Sequence, residues 1–436
     1  MSGFAPIVRV PAATAPPARR PDGSGFWLVP FFLLAVLLVV SRRPDVILHA
    51  TFWAEDGWRW YPDAYEQGWR CLLHPWTGYL QTFSRLVALL SLLFPLFWAP
   101  TLFAAAAIAV QAATATFMLS DRLSGLCPRP AVRLAFAVLY LLLPNSFEVY
   151  ANLTNAQWHL ALLAFLVCVG APPRGLFGRL LDAAVLLLSG LSGPCCVFLL
   201  PVALLLAVSR RDRASAERAA LVTFGACVQL WCLFGNGASR SAPVLGAGPR
   251  RLALILSLQV ILPLLFGRHA TPVYEQWPSW QDGLLPSVVA ALAAVLALRA
   301  VVAGSPVARL AVLFGGLIML AALVRPAIGS PTPAWIVMSM PDVGDRYYVM
   351  PMLAWAVVLF TLAADSAPVF RWSGRVLLLV TAVSLPGDWH LPTSFPVGGR
   401  TDFVARAHAF AAAPPGTTAQ FPVHPQGVPP MTLTRH

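Results

Sequence analysis

The chain has 436 residues, of which 58% are hydrophobic and 11% are charged, and its mean hydropathy is +0.71. An ordinary soluble domain carries about 25% charged residues, so this composition excludes a soluble globule and indicates a surface covered by lipid. The net charge of +12 comes from arginine alone. Because these arginines are scattered through short loops and form no continuous stripe, we exclude nucleic acid as a partner and attribute the charge to membrane topology and lipid headgroups.

The N-terminal region predicts a tail followed by a membrane anchor. Residues 1–24 are rich in proline and alanine, and we predict a disordered cytoplasmic tail there. The apolar run Phe26–Val40 lacks a convincing cleavage site and precedes further apolar segments, which favours an uncleaved first helix over a signal peptide. We predict a transmembrane domain over residues 25–386 and a small C-terminal tail outside the membrane over residues 387–436.

Further apolar segments follow, and several are short, as in helices that are broken by proline and line a cavity. These segments are residues 98–119, 131–145, 157–171, 180–192, 194–208, 219–235, 284–301, 308–324, 346–363 and 373–386. We therefore predict an all-α polytopic membrane protein with about 11 transmembrane helices, in a range of about 11 to 13.

The placement of arginine predicts the topology. Clusters that include Arg122, Arg210 and Arg218 are assigned to the cytoplasm, which places the N-terminus inside and the C-terminus outside. Residues 82–97 then form an interfacial helix on the outer face, and residues 252–266 are interfacial or re-entrant, because one more crossing at either would reverse this pattern. The predicted outer segments are residues 41–97, 145–157, 236–283 and 325–345, followed by the tail.

The first outer loop contains two adjacent carboxylates, Glu55 and Asp56, among tryptophans and tyrosines. Near the low-dielectric boundary of a membrane, an unpaired carboxylate is costly and its pKa tends to rise. Such a group suits a general base that accepts a proton from a hydroxyl, and it equally suits a divalent cation such as Mg²⁺ or Mn²⁺. The alternative is an aromatic belt that anchors the loop at the interface while the acids are solvated.

A second polar cluster, in the loop between two predicted spans, includes Asn155, Gln157, Trp158 and His159. Amides supply donors and acceptors for sugar hydroxyls, and an aromatic ring stacks on the CH face of a sugar. We therefore predict that these residues bind substrate. The alternatives are a hairpin whose amides cap helix ends and a histidine whose polar atoms are satisfied inside the core.

Several arginines fall on the predicted outer face, where the positive-inside rule disfavours them. Guanidinium binds phosphate in a bidentate manner, so Arg85, Arg268 and Arg346 are candidate ligands of a lipid phosphate. Arg346 begins a predicted helix beside Tyr347, which places both residues at the membrane boundary. The alternative is that these arginines pair with outer acids, such as Asp345 for Arg346, or with lipid headgroups.

The sequence W-A-E-D-G at residues 53–57 resembles the acidic motif in the first outer loop of GT-C glycosyltransferases. More narrowly, it is similar to bacterial membrane proteins with the pattern A-E-D-G followed by an aromatic residue, an alanine and a glycine. The counterparts of those last three residues are Tyr61, Ala64 and Gly68. The resemblance extends to residues 344–348 and 421–425. Glu-Asp stands where the plainest GT-C pattern has Asp-x-Asp, which leaves metal dependence open.

This resemblance implies a GT-C-like architecture in the bacterial inner membrane. It also implies an inverting glycosyltransferase that moves a sugar from a polyprenyl-phosphate donor to a glycan, lipid or protein acceptor of the cell envelope. Asp56 or Glu55 would then be the base on the acceptor hydroxyl. The chief alternative is a transporter or flippase for a lipid-linked glycan, which should carry ionisable residues near mid-membrane, where only Asp182 comes close. A membrane acyltransferase with His159 as its base is a third interpretation.

Overall fold

The described chain is predominantly helical, which confirms the predicted all-α class. A computed structural model describes residues 27–235, 243–270, 276–328, 330–393 and 395–436. The predicted tail over residues 1–24 lies outside the described residues. Four short strands occur in the described part of the chain, and they all belong to the first loop and the C-terminal segment.

The α-helices of the described chain are joined by short loops and by single turns of 3-10 or π helix. In chain order they are α1 (Leu28–Arg42), α2 (Asp45–Leu48), α3 (Tyr61–Gln67), α4 (Thr82–Ser91), α5 (Ala99–Leu119), α6 (Pro130–Leu141), α7 (Ala156–Val169), α8 (Gly175–Gly190), α9 (Cys195–Arg210), α10 (Arg213–Gly235), α11 (Pro249–Ile255), α12 (Leu262–Phe266), α13 (Pro278–Gln281), α14 (Leu284–Ala303), α15 (Pro306–Val324), α16 (Ala334–Met338), α17 (Val349–Leu362), α18 (Pro368–Ser384) and α19 (Gly399–Ala412). The strands are β1 (Phe52–Trp53), β2 (Thr418–Phe421), β3 (Val423–His424) and β4 (Met431–Thr434).

Six helical segments of the described chain are long and apolar enough to cross a membrane, as in a multi-pass membrane protein. They are Leu96–Leu119, Arg213–Gly235, Pro249–Phe266, Leu284–Ala303, Pro306–Val324 and Pro368–Asp388. Helices α1, α4, α6, α7, α9 and α17 are also apolar but shorter, with 10–17 residues each. The count of about 11 spans and the orientation of the chain stay predictions.

The two stretches predicted to be interfacial differ from each other. Residues 252–266 belong to the continuous segment Pro249–Phe266, which has the length of a span and is 67% buried within the protein. A π turn over Leu256–Ile261 precedes Pro263, and such a turn accommodates a proline that has no N–H to donate. Residues 82–97, in contrast, contain the separate short helix α4. The positions of arginines gave the same prediction for both stretches because they contain no information on whether a helix is continuous.

The C-terminal segment, predicted as a small tail, folds into a helix and strands that pack on the first loop. β2 and β4 pair in antiparallel fashion, and β4 alternates between buried and exposed residues as a half-buried strand does. Its buried side chains, Met431 and Leu433, join Phe421 in a common core with the first loop. The segment is therefore a structural part of the region that contains Glu55 and Asp56.

Strand β1 of the first loop pairs in parallel with β3 of the C-terminal segment, so that Phe52 lies opposite Val423. The Phe52 ring packs edge-on against Phe103 of α5 at 5.3 Å and against Phe403 of α19 at 5.5 Å between ring centroids. Three parts of the chain that are distant in sequence thus share one aromatic core. This core fixes the start of the acidic motif.

The opposite end of the helix bundle contains a buried ion cluster around Asp182 of α8. Both carboxylate oxygens of Asp182 accept hydrogen bonds from Arg122 at 2.7 Å, and Arg218 of α10 lies 3.0 Å away. The sequence assigns both arginines to one side of the membrane, and the structure places them at one end of the bundle. Asp182 lies in the middle of α8, and its charge is balanced by the two arginines.

Candidate functional site

The turn after β1 positions Asp56. Ala54 has a φ of 42° and donates its N–H to the carbonyl oxygen of His424 at 2.5 Å. A π turn then runs from Asp56 to Trp60. A positive φ is costly for most side chains, and π turns occur frequently at functional sites. The backbone around Asp56 is thus irregular and is held by the C-terminal strand.

Gly57 is required by packing. A Cβ built at this position would lie 2.6 Å from the Phe52 Cβ and 2.6 Å from the Val423 Cγ2. Both atoms belong to the β1–β3 pair, which crosses directly over the turn. The glycine of the A-E-D-G motif therefore allows the two strands to cover the residue next to it, Asp56.

The Asp56 carboxyl is buried, with 3% of the residue exposed. One of its oxygens accepts a hydrogen bond from the Thr154 hydroxyl at 2.6 Å, and the same hydroxyl oxygen accepts the indole N–H of Trp60 at 3.1 Å. Burial raises the pKa of Asp56 to about 8, opposed by hydrogen bonds from Thr154 and Leu153 and assisted by the charge on Glu55. A carboxylate whose pKa is about 8 is a stronger base than an ordinary aspartate and is better suited to take a proton from a hydroxyl.

The two acids of the motif are not equivalent. Glu55 is only half-buried, whereas Asp56 is enclosed. Asp56 faces a cavity of about 10 Å³ whose lining includes Arg43, Trp53, Asn152 and Phe395. A cavity of this volume holds about one water molecule. The sequence alone did not distinguish the two carboxylates, and the structure favours Asp56.

Arg43 is the buried cation of this cavity. Its guanidinium donates to the carbonyl oxygens of Tyr150 at 2.7 Å and Phe147 at 3.3 Å, and it lies 3.8 Å from Asp45. Burial lowers the pKa of Arg43 to about 10, which Asp45 partly offsets, so the group is still charged at neutral pH. Sequence analysis did not select Arg43. The available signal was its position directly after the first span, on the face predicted to be outside.

The loop between α6 and α7 connects the predicted site residues. Thr154 bonds Asp56, while the side-chain amides of Asn152 and Asn155 donate to the Glu148 carbonyl oxygen at 2.5 Å and 2.8 Å. The Glu148 carboxylate in turn binds Arg346. Asn155 therefore stabilises the loop, as in the alternative interpretation of a self-capping hairpin. Thr154, the residue of this loop that contacts Asp56, was not selected from sequence.

Gln157 and Trp158 keep polar atoms without partners among the described residues, namely the Gln157 Oε1 and the Trp158 indole N–H. Both residues are buried. A Cβ at Gly193 would lie 1.9 Å from the Gln157 Oε1, and the Trp158 ring packs edge-on against Tyr347 at 6.1 Å between centroids. A buried polar atom without a partner costs free energy, so these two residues retain the capacity to bind a ligand.

His159 is a core residue in this structure. Its Nδ1 lies 2.7 Å from the Tyr140 hydroxyl and its Nε2 lies 2.9 Å from the Val149 carbonyl oxygen. The residue is 3% exposed. Both ring nitrogens are therefore engaged inside the protein, which gives the acyltransferase interpretation no support and places His159 in the structural alternative.

Arg346 pairs with an acid that sequence analysis did not predict. The alternative to phosphate binding was an ion pair with its neighbour Asp345, but the guanidinium binds Glu148, whose carboxylate also accepts the Arg346 backbone N–H at 3.2 Å. Arg346 further donates to the Ala327 carbonyl oxygen at 2.8 Å, and the Tyr347 hydroxyl accepts the Ala327 N–H at 2.7 Å. Arg346 and Tyr347 thus hold two loops together.

We expect Arg346→Ala and Glu148→Ala to lower the free energy of unfolding non-additively, with a coupling of about 1 kcal/mol in a double-mutant cycle. The reason is that each single variant already removes the ion pair. The measurement is denaturant unfolding of the four proteins in detergent. Additive losses, together with weaker donor binding in Arg346→Ala alone, would instead support the phosphate role predicted from sequence.

Asp345 is a buried acid at the start of the turn that precedes α17. The residue is fully buried, and neither carboxylate oxygen has a hydrogen-bond partner among the described residues. Burial and the charge on Asp342 raise the pKa of Asp345 to about 7, while Arg268 lowers it. Asp56 and Asp345 thus both have raised pKa values. Asp56 contacts the α6–α7 loop at Thr154, and Arg346, the neighbour of Asp345, contacts the same loop at Glu148.

The other two candidate phosphate ligands serve their own loops. Arg85 is fully buried, lies 3.0 Å from Asp63 and donates to the Cys71 carbonyl oxygen at 2.5 Å. Arg268 lies 3.6 Å from Asp342. Neither lines the cavity beside Asp56. Arg346 does not line that cavity either, although Asp56 and Arg346 contact the same α6–α7 loop, at Thr154 and at Glu148.

No group of three or more His, Cys, Asp or Glu side chains able to hold a metal occurs in the part of the chain that the structure describes. Glu55 and Asp56 supply two adjacent carboxylates. Mg²⁺ or Mn²⁺ on such a pair would complete its shell with water and with phosphate oxygens of a substrate.

Comparisons of the chain with family models, with curated proteins and with solved structures find no match. The geometry around Asp56 is therefore the basis for assigning a function.

Proposed function

We propose that this protein is an inverting glycosyltransferase of GT-C-like architecture in the bacterial inner membrane. It would take a sugar from a polyprenyl-phosphate donor and transfer it to a cell-envelope acceptor on the outer face. The observation that carries the proposal is Asp56, a buried carboxyl in a membrane-boundary loop with a pKa of about 8. The resemblance at residues 53–57 supplies the reaction class.

In the proposed reaction the acceptor hydroxyl gives its proton to Asp56 as its oxygen attacks the anomeric carbon. The bond between that carbon and the phosphate oxygen breaks, and its electron pair leaves with the polyprenyl phosphate. Attack from the face opposite the phosphate inverts the anomeric centre. Thr154 orients the carboxylate through its 2.6 Å hydrogen bond, so that the base is held in place before the reaction.

Arg43 takes the electrostatic role that sequence analysis gave to Arg346. It lines the same cavity as Asp56, whereas Arg346 is bound to Glu148. The leaving phosphate gains negative charge during transfer, so a fixed guanidinium stabilises the transition state more than the ground state. Because the cavity holds about one water molecule, a sugar must displace part of its wall, to which Phe395 and Asn152 belong.

The test of this function is product analysis with the purified protein in nanodiscs. Polyprenyl-phosphate hexoses and pentoses are supplied with envelope glycan, lipid or peptide acceptors, and mass spectrometry follows the released polyprenyl phosphate. We expect release that depends on the acceptor. A parallel reaction with EDTA decides whether a divalent cation is required. Intact donor with every acceptor, combined with movement of a lipid-linked glycan across a bilayer, would contradict the proposal and favour the transporter or flippase.

A further inference from the structure

A large cavity lies at the end of the bundle opposite Asp56. It has a volume of about 1010 Å³ and lies between α5, α6, α7, α15 and α17. Its wall includes the second half of α7 up to Val169, while Asp56 contacts Thr154 just before that helix. The lining residue of α7 nearest to Thr154 is Leu162, which at 1.5 Å per residue lies roughly 12 Å along the helix axis, and the two cavities share no lining residue. The cavity is therefore distinct from the proposed catalytic site.

The walls of this cavity are apolar and aromatic. Phe165 and Phe314 stack at 5.3 Å between centroids, and Phe136 packs edge-on against Phe360 at 5.8 Å. All four rings line the cavity. Helices α5 and α15 belong to segments long and apolar enough to span a membrane. Such a lining suits hydrocarbon.

The mouth of the cavity is positively charged. Arg129 is exposed there and makes no ion pair with the described residues, while Arg133 is 8% exposed and its Nε has no hydrogen-bond partner among them. The Arg133 Nη1 donates to the carbonyl oxygens of Leu119 and Ser120, and its Nη2 lies 4.0 Å from the carboxylate of Asp121, an exposed residue that does not line the cavity. An exposed contact of this length offsets little of the charge on Arg133. The acid of the mouth, Asp365, is bound in bidentate fashion by Arg299 at 2.8 and 2.9 Å.

Two helices also begin at this mouth. α6 starts at Pro130 and α15 at Pro306, and residues from both first turns line the cavity. The N-terminal end of a helix carries a partial positive charge and free N–H groups. Together with the two arginines, these helix ends favour an anion at the opening of a hydrocarbon-lined space.

We infer that this cavity binds an anionic phospholipid of the adjacent leaflet, with its acyl chains among the phenylalanines and its phosphate at Arg129 and Arg133. Arg129 attracts the headgroup from the surface, and Arg133 contacts it at the rim. The inference is independent of the proposed transfer reaction.

The test uses the full-length protein in phosphatidylcholine nanodiscs that contain phosphatidylglycerol as a minor component, with retained lipid counted by native mass spectrometry. The wild type should retain phosphatidylglycerol over phosphatidylcholine. Arg129→Ala should weaken this retention about fivefold, since one arginine near a membrane surface contributes about that much. Ala311→Trp should abolish retention, because Ala311 lines the cavity. Ala291→Trp is the matched control, since Ala291 lies exposed on α14.

Equal retention in Ala311→Trp and Ala291→Trp would overturn the inference, as would equal retention of phosphatidylcholine and phosphatidylglycerol by the wild type. Displacement of phosphatidylglycerol by equimolar polyprenyl phosphate would also overturn it, because the cavity would then be a site for the donor lipid. Thermal unfolding of both tryptophan variants shows whether they are folded. If Ala311→Trp does not fold, retention by Arg129→Ala is compared with retention by Arg129→Lys. Because lysine retains the charge, Arg129→Lys should retain more phosphatidylglycerol than Arg129→Ala.

Discussion

Asp56→Asn should lower the rate of sugar transfer by about 10² or more, because asparagine keeps the shape of the side chain and cannot accept a proton. The measurement is acceptor-dependent release of polyprenyl phosphate by the purified variant. Glu55→Gln is the matched control: it changes an acid that is only half-buried, so above about pH 8, where Asp56 is ionised in both proteins, its rate should stay close to that of the wild type. Equal transfer by Asp56→Asn and the wild type would reduce this loop to a membrane anchor.

The stability of Asp56→Asn separates a catalytic defect from misfolding. A carboxyl whose pKa is raised by folding from 3.8 to about 8 binds its proton more tightly in the folded chain. Its ionisation therefore opposes folding increasingly as the pH rises through that interval. Because asparagine does not ionise, we expect the variant to be at least as stable as the wild type above about pH 8. A lower melting temperature there would contradict the burial of Asp56.

Gly57→Ala should have the second large effect. The added Cβ would lie 2.6 Å from the Phe52 Cβ and from the Val423 Cγ2, so the β1–β3 pair must shift. Overpacking of this kind costs about 1–3 kcal/mol, and displacement of a catalytic group by about 1 Å lowers the rate by about 10². We expect both losses, measured as the unfolding free energy and the transfer rate.

Gly125→Ala is the control for this substitution, since a Cβ at Gly125 would meet nothing within 4 Å. It makes the same chemical change where there is room, and we expect wild-type stability and transfer. If Gly57→Ala behaves like Gly125→Ala, then the strand pair does not position Asp56 and the glycine of the motif has no packing role.

Hydropathy was sufficient to predict the helical membrane class, because a long run of apolar residues is stable only in apolar surroundings. The continuity of Pro249–Phe266 was not predictable from arginine placement, because the positions of arginines constrain the number of crossings and contain no information on the packing that buries a helix. The folded C-terminal segment was missed for a related reason. Short strands such as β3 acquire their partner, here β1, from the other end of the chain.

The candidate site shows the same division. Sequence identified Glu55 and Asp56 through a local motif, but Asp56 is enclosed by residues that are distant in the chain, such as Thr154 and Phe395. Arg346 was predicted to bind a lipid phosphate, with an ion pair to its neighbour Asp345 as the alternative, whereas in the structure it binds Glu148. A local pattern can name residue types suited to a chemistry. It cannot name the long-range contacts that set their pKa values.

The pH dependence of transfer tests the role of Asp56 most directly. Because the base must be ionised, the wild-type rate should rise with pH and level off above an apparent pKa of about 8. Glu55→Gln should shift this midpoint to lower pH, since the charge on Glu55 raises the pKa of Asp56. The residual rate of Asp56→Asn should lack the transition. A wild-type rate that is constant from about pH 6 to about pH 9 would contradict the assignment of Asp56 as the base.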